Sequence, residues 1–132
     1  MFGTASKRNH KFLRELGADE TIDYSSARFE DVARNVDVVF DTMGGDTQNR
    51  SWTVLKKGGI LVSIVKPPSA DEAASHGVRQ AFVFVQPNAE QLAEIAKLVD
   101  SGKLKTTVDT VLPLSEARQA SLVSRPDWLI TP

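Results

Sequence analysis

Asp41, Thr42, Met43, Gly44 and Gly45 close a short apolar run, Val36, Val38, Val39 and Phe40, that is rich in β-branched residues. Such a run reads as a strand buried on both faces, as in a parallel sheet covered by helices. Open α/β sheets bind ligands just beyond the carboxyl ends of their strands, so an acid, a hydroxyl and a Gly-Gly pair here would line a crevice. The same residues also make an ordinary strand end and turn, which explains both glycines without a ligand. Ser6, Lys7, Arg8 and Asn9 form a second polar cluster. By residue type alone they are a helix start, capped by Ser6 or Asn9, with two solvated cations. His10 and His76 are far apart and belong to no cluster at metal-ligand spacing. Both are expected on the surface, and no zinc is expected. No nucleophile–base pair stands out.

The elements that must position these residues lie within 132 residues, 41% hydrophobic and 25% charged, with a net charge of −1. That is one domain or part of one, long enough for a core. The charge makes no case for nucleic acid or an anionic membrane as partner. No apolar run approaches the ~20 residues of a membrane span. The start has no signal-peptide core. The absence of cysteine excludes disulfides and thiolate metal sites. A cytoplasmic location is the expectation.

In chain order, residues 1–5 read as the tail of a strand. Phe12, Leu13 and Leu16 then stripe a helix that Gly17 ends. Residues 21–24 are a short strand, and residues 25–35 suit a short helix or turn. After the run at 36–40, Asp46 is expected to cap a helix that faces Trp52 and Leu55 inward and stops at Lys57-Gly58-Gly59. Residues 60–65 read as a fully buried strand, and Ala70 opens a short helix. Residues 78–85 form a strong strand. Asn88 and Gln91 make a capping box for a helix striped by Leu92, Ile95, Ala96 and Val99, which Gly102 closes. Residues 108–112 read as a strand. Ser115 caps a helix running to Ser124, and residues 128–130 suit a short terminal strand. The alternation argues for an α/β fold with a mostly parallel sheet flanked by helices.

Five segments then fall into a familiar order and spacing: GTASKRNHKFLRELGADETIDY, VDVVFDTMGGDT, LKKGGILVSIVKPP, AFVFVQPNAEQLAEIAKLVDSGKLK and VDTVLPLSEARQA. Over residues 1–120 the chain resembles the medium-chain dehydrogenase/reductase superfamily, the zinc-binding dehydrogenases. It looks most like the zinc-free NADPH quinone/enone oxidoreductase branch, and like the C-terminal part only. Residues 121–132 depart from the family as a divergent tail. The expected fold is therefore a partial Rossmann domain lacking the family's first strand and its Gly-rich, pyrophosphate-binding turn.

The resemblance implies roles. Ser6, Lys7 and Arg8 would meet the 2′-phosphate of NADPH where NAD-preferring members carry an acid. Asn9 would touch the adenosine phosphate and Tyr24 the 2′-phosphate. Asp41, Thr42, Met43 and Gly44 would line the adenine and ribose side. Ser63, Ile64 and Val65 would pass the nicotinamide ribose, and the backbone around Phe82, Val83 and Phe84 the carboxamide. Packing alone explains these apolar residues equally well. The resemblance also implies a homodimer through the edge strand at 78–85, with Phe82 or Phe84 near the axis.

Two readings of function follow. The chain is the cofactor domain of an NADPH-dependent oxidoreductase that reduces quinones or α,β-unsaturated carbonyls by hydride transfer. Alternatively it is a non-catalytic dimerisation or binding module that keeps the fold, and the isolated chain does not hold NADPH. An interaction protein reusing the fold is a third possibility, which no feature supports. In the family the absent first strand lies between the strands at Phe2 and Val36. Those two strands close up, accept another chain, or keep open edges.

Overall fold

The computed structural model describes residues 1–108 and 110–119. They fall into two compact units, Met1–Gln86 and a second that begins at Pro87.

The first unit holds five strands in two separate parallel sheets. β1 (Phe2–Ala5) pairs with β2 (Glu20–Asp23), setting Phe2 opposite Glu20 and Ala5 opposite Asp23. β3 (Val36–Asp41), β4 (Leu55–Ser63) and β5 (Arg79–Phe82) form the other sheet, in that order. Parallel neighbours need a crossover. Here α1 (His10–Glu15), α2 (Phe29–Val32), α3 (Gly45–Ser51) and α4 (Ala70–His76) lie between successive strands. The α/β architecture with parallel strands and flanking helices is as expected. β1 and β3 do not pair, so the two sheets keep open edges.

Local chemistry fixes the helix ends, though not always as expected. Ser69 accepts a 3.2 Å bond from the Glu72 N–H at the start of α4, and Gly77 ends that helix at φ 64°. Neither Ser6 nor Asn9 makes a side-chain capping bond. Gly44 occupies the N-cap of α3, and Asp46 sits inside its first turn. The helix after Asp46 is also shorter than expected. Trp52–Val54 is a 3-10 turn, and Leu55 already pairs with Val36 in β4. Lys57-Gly58-Gly59 is thus an irregularity inside a strand, not a helix stop. The pairing slips from Val36–Leu55 to Val38–Ile60. A side chain at Gly59 would lie 2.9 Å from the Lys56 carbonyl oxygen and 3.0 Å from that of Asp37.

Two small cores hold the unit. Ile22, Ala33 and Val54 form one, and Trp52, Leu61 and Ala73 the other; Val39 packs against both. Trp52 also stacks on His76, with ring centroids 6.3 Å apart. The central run is not buried on both faces: Val38 is 57% and Phe40 62% exposed. Likewise β4 ends at Ser63, leaving Ile64 and Val65 half exposed. The strand expected over 78–85 is regular only from Arg79 to Phe82, and it does lie at the sheet edge.

In the second unit, α5 (Ala89–Asp100) begins with the expected cap: Asn88 Oδ1 accepts from the Gln91 N–H at 3.0 Å. Residues 108 and 110–112 form no strand. A 3-10 turn, Leu114–Glu116, opens the helix expected from Ser115, and residues 117–119 continue it as α-helix. The remainder of that helix and the strand at 128–130 lie outside the described residues. No described helix is long and apolar enough to cross a membrane.

Candidate functional site

The polar residues singled out in the sequence gather at the carboxyl ends of the strands. Ser6, Lys7, Arg8 and Asn9 follow β1, and Tyr24 follows β2. Asp41 ends β3, with Thr42, Met43 and Gly44 after it. Ser63 ends β4 and Ile64 follows; Phe82 ends β5 and Phe84 lies two residues on. Within each parallel sheet these ends share one side.

The turn after β3 is held by Asp41, which is 4% exposed. Its Oδ1 accepts from the N–H groups of Met43 (3.0 Å) and Gly44 (2.8 Å). Its Oδ2 accepts from Gln48 Nε2 (2.9 Å) and Ser63 Oγ (2.8 Å). Burial raises the pKa of this carboxyl. Donation from the Gly44 N–H, Ser63, Gln48 and the Met43 N–H outweighs it and holds the group below the usual carboxylate value. Gln48 Nε2 also donates to the Lys66 carbonyl at 3.0 Å, and Ser63 Oγ accepts from the Val65 N–H at 3.2 Å. The turns after β3 and β4 are therefore one hydrogen-bonded piece. Gly44 adopts φ 70°, ψ −159°, a region essentially closed to other residues. Asp41 and Ser63 are hidden, while Thr42, Met43 and Ile64 face solvent.

Tyr24 is 67% exposed. It lines a hollow of about 420 Å³ with Ala27, Arg28, Phe29, Asp46 and Arg50, so the segment after β2 meets α3 there. The two arginines are already committed. Arg50 pairs with Glu30 at 2.7 Å and Asp46 at 2.8 Å, and its guanidinium lies 4.9 Å from the Phe29 ring centre. Arg28 pairs with Glu30 at 2.7 Å. Burial would raise the Glu30 pKa, but hydrogen bonds from Arg50, its own backbone N–H and Arg28 lower it to about 2. Lys7 and Arg8, by contrast, are exposed and form no ion pair among the described residues.

His10 is half-buried rather than a plain surface residue. Its Nε2 lies 3.3 Å from the Ala5 carbonyl oxygen and its Nδ1 3.1 Å from Thr21 Oγ1. A carbonyl only accepts, so Nε2 carries the proton and Nδ1 accepts from the Thr21 hydroxyl. Arg14 donates to that hydroxyl at 3.2 Å. Sequence reasoning missed this bridge, and it missed Gln48 and the Glu30–Arg50 pair. For Gln48 one signal existed: a polar residue on the face of the helix that also carries Ser51 and Trp52 inward.

The model of the family described as "Zinc-binding dehydrogenase" matches residues 16–122. The chain belongs to the zinc-binding dehydrogenase family. It is 29% identical, over 92% of its length, to a probable zinc-binding oxidoreductase, mitochondrial, from Arthroderma benhamiae, of which it covers 39%. It is 36% identical, over 92% of its length, to an NADPH-dependent alkenal/one oxidoreductase, chloroplastic, from Arabidopsis thaliana, of which it covers 29%. The solved quinone oxidoreductase from Coxiella burnetii superposes with a TM-score of 0.80 at 35% identity, covering 92% of this chain and 40% of that one. This zinc-binding dehydrogenase chain thus spans about two-fifths or less of the length of these relatives. Among its described residues no group of three or more His, Cys, Asp or Glu side chains could hold a metal ion.

Proposed function

We propose that the chain is the nucleotide-binding part of an NADPH-dependent oxidoreductase acting on quinones or α,β-unsaturated carbonyl compounds. The observation that carries this is the contrast between Arg28 and Arg50, tied to acids, and Lys7 and Arg8, which are exposed and form no ion pair among the described residues, beside Ser6, whose hydroxyl makes no capping bond. Charge-assisted bonds from such groups suit a phosphate monoester. They fit the 2′-phosphate that distinguishes NADPH from NADH. Support for the substrate class comes from the printed activities of the Arabidopsis and Coxiella proteins.

NADPH, when bound, supplies the hydride. This chain's own residues do the holding. Ser6, Lys7 and Arg8 take the 2′-phosphate together with Tyr24, and Asn9 meets the adenosine phosphate. Thr42 and Met43 flank the ribose on the turn that Asp41, Gln48 and Ser63 keep rigid. Ile64 shields the nicotinamide side, with Phe82 and Phe84 beyond it. The chain works as a homodimer through the free edge of β5, where Phe84 is 74% exposed. The open groove between β1 and β3 favours a second reading, a binding module without catalysis.

Calorimetric titration of the 132-residue chain with NADPH, and with NADH in parallel, tests the first reading. Hydrogen bonds to a charged group contribute about 1.5–3 kcal/mol each. NADPH is therefore expected to bind at least about tenfold more tightly, and Lys7→Ala with Arg8→Ala to erase the preference. Equal affinities, or no heat from a folded chain, would overturn it.

A further inference from the structure

Two limbs of backbone leave the first sheet side by side. β1 and β2 end in register, Ala5 opposite Asp23. Residues 6–9 continue from Ala5, and Tyr24 continues from Asp23. The limb with Tyr24 is held by its own strand end: Asp23 Oδ1 accepts from the Ser25 N–H at 3.0 Å and from the Ser25 hydroxyl at 2.6 Å. The limb at 6–9 has no such brace. Its Asn9 N–H donates to the Ser6 carbonyl at 2.9 Å, and the His10 N–H donates to the Lys7 carbonyl. No side chain of Ser6, Lys7, Arg8 or Asn9 makes a hydrogen bond or an ion pair among the described residues.

The His10 ring supplies the missing brace. It opens α1, and its Nε2 donates to the Ala5 carbonyl at 3.3 Å, the peptide from which the limb departs. The limb is thereby a closed loop, joined at one end by backbone and at the other by the ring. Nδ1 of the same ring accepts from the Thr21 hydroxyl at 3.1 Å. Thr21 belongs to β2, the strand that carries Tyr24 beyond its end. Arg14 donates to that hydroxyl at 3.2 Å, so donation runs in one direction, from Arg14 to Thr21 to His10 to Ala5. Bonds in such a row polarise and strengthen one another. The ring also rides on a helix seated close to the sheet: a Cβ on Gly3 would lie 3.1 Å from Leu13 Cδ1. Both ring nitrogens are spent on the protein, which leaves neither for a phosphate. His10 is built to hold, not to bind.

We propose that His10 is the positioning residue of the 2′-phosphate site: by bridging the Ala5 carbonyl and the Thr21 hydroxyl, it locks the limb bearing Ser6, Lys7 and Arg8 in place beside the limb bearing Tyr24. The inference rests on the nucleotide-binding reading and adds to it the residue on which its selectivity depends. Groups that meet a phosphate from several sides do so well only when they are held in place beforehand. Limbs free to swing would still admit an adenosine and would lose the preference for its phosphate.

The test uses the full isotope-labelled chain, with adenosine 2′-monophosphate and adenosine as probes. At alkaline pH, where histidine is neutral, nitrogen NMR of the free chain is expected to find the His10 proton on Nε2; a proton on Nδ1 would overturn the proposal. The chain is expected to bind the monophosphate at least about tenfold more tightly than adenosine. His10→Leu is expected to cut that preference to about threefold or less while leaving adenosine binding unchanged. His10→Gln, whose amide can donate to Ala5 and accept from Thr21, is expected to keep most of it. Thr21→Val removes the partner of Nδ1 and is expected to act as His10→Leu does; it decides should the leucine variant fail to fold. A preference kept in both His10→Leu and Thr21→Val, or a loss that weakens both ligands alike, would overturn the positioning role and leave the nucleotide reading standing. No preference in the unaltered chain would overturn both.

Discussion

Ser63 Oγ donates a 2.8 Å hydrogen bond to Asp41 Oδ2, joining the last residues of two adjacent strands through side chains that are 0% and 4% exposed. The bond welds the turn that bears Thr42 and Met43 to the turn that bears Ile64. Ser63→Ala takes one of four donors from a buried carboxylate. It should cost about 1–3 kcal/mol in chemical denaturation. Asp41→Asn should cost more. Its new amide group would face either Gln48 Nε2 beside Ser63 Oγ or the Met43 and Gly44 N–H groups, which sets it against the Gln48 amide in the first case and against both N–H groups in the second.

Gly44→Ala should destabilise by about 1–3 kcal/mol, the cost of holding a residue with a Cβ in a glycine-only backbone region. The new methyl would also sit 3.1 Å from Val65 Cγ1. Thermal melting measures the loss. A Gly45→Ala control, at φ 55° with open space around it, should lose less.

Acid should weaken the Glu30 junction. Its folded pKa lies at about 2, below the ordinary 4.5. The charged form is therefore favoured by folding, and its contribution is fully present above pH 4.5. That contribution is lost as pH falls from 4.5 toward 2. Denaturant midpoints for the chain and for Glu30→Gln should converge as pH falls through this window and separate above it.

The β5 edge predicts the oligomeric state. Peptide groups of alternate residues in a strand face the same neighbour, so Val83 faces β4, since its N–H donates to the Ser63 carbonyl, and Gln80 and Phe82 face outward. Gln80→Pro removes one outward donor, and Phe84→Asp places charge beside that edge. Each should shift a dimer to monomer in light-scattering chromatography while leaving circular dichroism unchanged.

Several of these features were legible in the sequence. The acid and Gly-Gly after Phe40 mark a strand end, because few other patterns stop a β-branched run so sharply. The Asn88–Gln91 box is local and formed as read. The extent of β4 was hidden because Lys57-Gly58-Gly59 breaks a helix and a regular strand alike; only the pairing of the flanking Leu55 and Ile60 with Val36 and Val38 tells them apart. The exposure of Val38 and Phe40 was hidden for another reason. A run's composition reports the surroundings it suits, not whether they are present. Glu30 and Arg50, or Asp41 and Ser63, meet across some 20 residues of chain, beyond any local periodicity. The reading of Ser6, Lys7 and Arg8 as a 2′-phosphate site rests only on a family resemblance. By residue type Ser6 looked like a cap, a bond the structure does not make.

The Ile22–Ala33–Val54 core carries a consequence for how the molecule is made. Its parts come from β2, from the residue after α2, and from the turn before β4. The first sheet therefore cannot complete its apolar seat until translation has passed Val54, 32 residues after Ile22. At roughly 5–20 residues per second, the nascent β1–β2 ribbon waits about two to six seconds with Ile22 uncovered. A pause placed between those codons would lengthen its exposure.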